Sequence, residues 1–130
     1  MNFTGLKFGE LIDKLKRMPQ DEPVKFDFVH FGPTTVESYR GYYEDAALGY
    51  ATPDSGTGYN FPTVSALVAH LEATIGKVFH GWKGGNGRPI TRDSSLWVAN
   101  PSETGDTVVV DVQELTYVTL ITRQDDERQP

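Results

Sequence analysis

Thr107-Val108-Val109-Val110-Asp111-Val112-Gln113-Glu114, then Leu115-Thr116, then Tyr117-Val118-Thr119-Leu120-Ile121-Thr122-Arg123 is the stretch that decides the fold class. β-Branched side chains dominate both halves, and they sit best on pleated backbone. Two residues between the halves leave room only for a tight reversal, so the segment reads as an antiparallel hairpin. Ahead of it, residues 96 to 100 read as a strand. Pro101-Ser102-Glu103-Thr104-Gly105-Asp106 reads as the loop that returns the chain into Thr107. The C-terminal half is therefore expected to be a β-meander.

Moving outward, residues 77 to 82 read as a further strand and residues 83 to 89 as a glycine-rich turn. Before them lies a helix: Val64, Leu67, Val68, Leu71 and Ile75 recur at three- and four-residue spacing, with Thr63 placed to cap the start and Gly76 the end. A second helix spans residues 6 to 18, where Phe8, Leu11, Ile12, Leu15 and Met18 form one stripe and Pro19 stops it. Val24, Phe26 and Phe28 alternate with Lys25 and Asp27 as in a half-buried strand. Residues 36 to 43 and 46 to 51 read as two short strands, or as one strand interrupted at Glu44-Asp45. Residues 52 to 60, Thr-Pro-Asp-Ser-Gly-Thr-Gly-Tyr-Asn, have no apolar period and read as a surface loop.

The expected architecture is α+β: a mostly antiparallel sheet of five to seven short strands with two amphipathic helices on one face. At 130 residues the chain suits one domain. That domain is expected over residues 1 to 123, followed by a disordered acidic tail over 124 to 130. The open face of such a sheet, rich in Tyr and Trp, needs a ligand or a second copy to cover it, so a homo-oligomer is expected.

Composition removes several functions. No cysteine is present, so neither a disulfide scaffold nor a thiolate metal site is available, which suits a reducing cytosol. The formal charge is −6, and −4 without the last seven residues, so the chain lacks the basic face that duplex nucleic acid requires. No apolar run is long enough for a membrane span, and Met1-Asn2-Phe3-Thr4 does not open a signal peptide. The three histidines, His30, His70 and His80, have no metal-ligand spacing, and no Gly-x-Ser-x-Gly turn occurs. Glu44 and Asp45, as neighbours in a strand, point to opposite faces and serve solubility better than acid–base chemistry. No catalytic residue, metal or cofactor is expected.

Three segments carry binding chemistry. Ser38-Tyr39-Arg40-Gly41-Tyr42-Tyr43 sets phenols and a guanidinium around one glycine. Tyr42 and Tyr43 can stack on a planar base while Arg40 grips phosphate in a two-pronged contact. The competing reading makes the tyrosines core and pairs Arg40 with Glu44 or Asp45. Trp82-Lys83-Gly84-Gly85-Asn86-Gly87-Arg88-Pro89 lets backbone approach a phosphate beside Lys83 and Arg88, or is simply a wide turn, and it fits no nucleotide-hydrolase motif. Trp82 and Trp97 either stack across strands or wall a pocket. Asn100 can read a base or ribose edge, or serve only the turn at Pro101.

Taken together, Ser38-Tyr39-Arg40-Gly41-Tyr42-Tyr43, Ile75-Gly76-Lys77 with Phe79, Trp82-Lys83-Gly84-Gly85 and Trp97-Val98-Ala99-Asn100 resemble a family of small proteins encoded by tailed bacteriophages. The similarity runs from the first helix to the last strand, with Asn86-Gly87-Arg88-Pro89 as a departure from the family pattern. By analogy the chain is similar to viral sponges, small oligomers that sequester nucleotide immune signals of the Thoeris or CBASS type. The resemblance implies a non-enzymatic cytoplasmic protein of the infected host that binds a cyclic ADP-ribose isomer or cyclic oligonucleotide. Arg40, Lys83 and Arg88 would then face phosphate, Tyr42, Tyr43 and Trp82 would stack, and Asn100 would read a polar edge. The alternative is a phage protein that inhibits a host protein by direct contact.

Overall fold

A computed structural model describes residues 5–29, 32–33, 35–39, 42–49, 62–78, 89–98 and 107–124. The chain runs α1 (Phe8–Lys16), β1 (Val24–Phe26), β2 (Thr35–Tyr39), β3 (Tyr42–Gly49), α2 (Val64–Thr74), β4 (Leu96–Val98), β5 (Thr107–Glu114) and β6 (Val118–Gln124). Among the described residues these strands form one six-stranded sheet in the order β1-β6-β5-β4-β3-β2. The fold is α+β, as the sequence implies.

The sheet is mostly antiparallel, as expected, but not purely so: two of its five strand pairs are parallel. β2–β3, β4–β5 and β5–β6 pair antiparallel, whereas β3–β4 and β1–β6 pair parallel. The β3–β4 pair has a direct cause: α2 intervenes between them, and a helical crossover returns the chain to the end from which it started. The β1–β6 pair sets Val24 against Val118 across most of the chain. The β5–β6 hairpin carries a bulge, since Val109 faces Thr122 and Asp111 faces Ile121, which leaves Val110 as the extra residue.

Four boundaries differ from the sequence reading. The break between β2 and β3 falls after Tyr39, and β3 runs straight through Glu44-Asp45, which are strand residues and no interruption. Lys77 and Val78 are not strand; the rest of the expected strand, residues 79–82, lies outside the described residues. β1 stops at Phe26, with Phe28 beyond it stacked on Phe26 at 5.1 Å between ring centroids. β6 extends to Gln124, so the strand takes the first residue of the expected tail, and residues 125–130 lie outside the description.

Both helices bury the stripes that their spacing sets out. Phe8, Leu11, Ile12 and Leu15 of α1 and Val64, Leu67, Val68 and Leu71 of α2 share one core with Val24, Phe26, Leu48, Leu96, Val98 and Leu120 of the sheet. Ile75 is the exception in α2: it falls after the last helical turn and stays 37% exposed. Lys16 of α1 pairs with Glu72 of α2 at 2.6 Å across the helix surface. Alternation sends the residues between these core positions to the other face of the sheet. There Ala47, Trp97 and Val108 form a second buried cluster with Val110 packed against it. Among the described residues no helix is long and apolar enough to cross a membrane.

Candidate functional site

The segment that carries Trp82, Lys83 and Arg88 is held at its base. α2 ends at Thr74, and Gly76 follows with φ +90°, a left-handed turn that costs glycine little. This turn aims the Gly76 N–H at the Ile90 carbonyl, 2.7 Å away, and Ile90 returns its own N–H to the Lys77 carbonyl at 2.9 Å. The chain therefore leaves after Lys77 and comes back at Ile90 within one pair of backbone bonds. Ile90 is wholly buried and fixes this clamp in the core. The sequence reading missed Ile90, although a single apolar residue between Pro89 and Thr91 was its signal.

From the clamp, residues 91–94 lead into Ser95, whose carbonyl accepts the Ala46 N–H at 3.1 Å. The returning chain thus enters β4 from the end of the sheet at which β3 begins, the end that carries Tyr42. Val98, the last residue of β4, pairs with Leu48 near the opposite end of β3. Six residues separate Tyr42 from Leu48, a rise of roughly 20 Å along the strand.

Of the expected site residues, Arg40, Trp82, Lys83, Arg88 and Asn100 lie outside the described residues, as do the side chains of Tyr42 and Tyr43, whose backbone opens β3. The described framework carries the chain on either side of each. Tyr39 and Tyr42 face each other across the β2–β3 pair and flank Arg40 and Gly41. Lys77 and Ile90 flank the glycine-rich segment. β4 ends at Val98, two residues before Asn100 in the sequence. Trp97 is placed: it stands in β4 on the face away from the helices, 7% exposed, between Ala47 and Val108.

Several titratable groups on the described part have structural partners. Asp111, beside the bulge, accepts the Val112 backbone N–H at 2.8 Å and lies 3.4 Å from the Lys14 ammonium. The amide bond is the main cause that holds this carboxyl below its usual range; desolvation opposes it, and Lys14 adds to the lowering. Asp27 accepts from the Thr122 backbone N–H at 3.0 Å and the Thr122 hydroxyl at 2.5 Å, which extends the β1–β6 join past the end of β1. Arg92 reaches Asp13 at 2.5 Å and the Gly9 carbonyl at 3.2 Å, tying the turn before β4 to α1. Of the three histidines, His70 is described and lies on the exposed side of α2. Among the described residues no cluster of His, Asp or Glu has a metal-binding arrangement. Comparison of the chain with protein-family models, with curated proteins and with solved structures finds no match.

Proposed function

We propose that this chain is a non-enzymatic phage protein that binds a small nucleotide-derived signal, a cyclic ADP-ribose isomer or a cyclic oligonucleotide, and withholds it from a host effector. The observation that supports this reading is the backbone clamp between Lys77 and Ile90. It closes the ends of a twelve-residue excursion that contains Trp82, Lys83, four glycines and Arg88. Closed ends lower the conformational entropy that such a segment would lose on ordering around a ligand. Its return chain leads to Ser95, whose carbonyl takes the N–H of Ala46 in β3, the strand that Tyr42 opens, and in this reading the cations and aromatics of the two segments would meet around one ligand. Guanidinium and ammonium groups there would take phosphate, and the rings would take a base. The reading includes a homo-oligomer working in the cytoplasm of the infected cell, and light scattering at micromolar concentration should give a mass above that of one chain.

The test is calorimetric titration of the wild type with cyclic oligonucleotides and ADP-ribose isomers, beside mass spectrometry of what heat releases from protein expressed with an active signalling enzyme. Release of an unaltered nucleotide supports sequestration, and release of an altered one points to a hydrolase. Arg40→Ala should weaken binding by roughly 10- to 150-fold, the loss of one charge-assisted phosphate contact, with little change in unfolding. Arg88→Ala should act similarly. Asn100→Ala should weaken binding less, because β4 ends about 20 Å along β3 from Tyr42. A wild type that binds none of the panel and co-purifies with a host protein would replace this reading with direct protein inhibition.

A further inference from the structure

We draw no further inference here: the strongest candidate, the outer edge of β2 (Thr35–Tyr39), which among the described residues has no strand beyond it, carries nothing because nothing in the structure shows what covers it.

Discussion

Two glycines are required at their positions for different reasons, and substitution should separate them. A Cβ on Gly32 would lie 2.1 Å from the Val24 carbonyl oxygen and 2.9 Å from Pro62 Cδ. Backbone cannot swing aside, and the same stretch of β1 is held there by the Val24 N–H bond to the Pro62 carbonyl at 2.8 Å. On Gly9 the nearest atom would be Arg92 Cβ at 2.6 Å, with the guanidinium close behind. The guanidinium can swing aside, at the expense of its contacts with Asp13 and the Gly9 carbonyl, whereas Arg92 Cβ gives way only if its backbone shifts against the 2.8 Å bond that it accepts from the Gly9 N–H. Alanine normally gains about 1 kcal/mol over glycine inside a helix, which partly offsets the clash at Gly9. Urea unfolding should therefore show Gly32→Ala losing about 3 kcal/mol or more and Gly9→Ala about 1–2 kcal/mol. Equal losses would mean that Arg92 is as immovable as the Val24 backbone. Asp111 permits a test in pH. Its carboxyl is held low in the folded chain, so its contribution is present above the ordinary carboxylate pKa and is lost as pH falls through the lowered folded value. The stability gap between wild type and Asp111→Asn should be widest near neutrality and should close below about pH 4. With the side chain 43% exposed, the gap will be small at any pH.

Elements differ in how much of their cause is local, and legibility follows that difference. α2 could be read from its own residues: the Thr63 hydroxyl accepts the Ala66 N–H at 3.2 Å, and Gly76 takes the left-handed turn. Thr63→Ala should cost about 1 kcal/mol as a lost cap. Gly76→Ala should cost about 1–2 kcal/mol from backbone strain alone, since no atom lies within 4 Å of the added Cβ. Thermal melts of the two variants and their double mutant should be close to additive, because the sites lie at opposite ends of the helix. The β5–β6 hairpin was equally legible, its short connection leaving no other partner. β2–β3 was misread because Glu44-Asp45 looks like a breaker, although a strand tolerates charge wherever one face meets water. The parallel pairs were harder. The strand expected directly after α2 hid the β3–β4 pairing, which joins β3 to the later strand at Leu96, and nothing near Val24 indicates Val118. The candidate site was legible only as residue types. Which of them share an end of the sheet depends on those same parallel pairings and on the clamp at Ile90, and neither is a local property.

At the scale of the whole molecule, the two ends of the chain are stitched into one sheet. β1 lies parallel to β6, and the Leu6 N–H bonds the Val109 carbonyl at 2.7 Å before α1 begins. The main core sits between the helices and one face of the sheet, while Ala47, Trp97 and Val108 form a separate cluster on the other face. These clusters share backbone, since Ala47 lies between Ala46 and Leu48 and Trp97 between Leu96 and Val98. One face cannot come apart without pulling on the strands that hold the other, so the two should unfold as one cooperative unit. Trp97 is a reporter for the far face once Trp82→Phe leaves it as the sole tryptophan, and helical circular dichroism reports the near one. In urea the two signals should give the same midpoint and the same slope. If Trp97 emission shifts well before the helical signal falls, the far cluster is a separately melting layer, and the single-domain reading fails. Val24→Ala, which removes buried volume at the β1–β6 join, should move both transitions together by about 1–3 kcal/mol. A shift confined to the helical signal would place β1 outside the unit that holds Trp97.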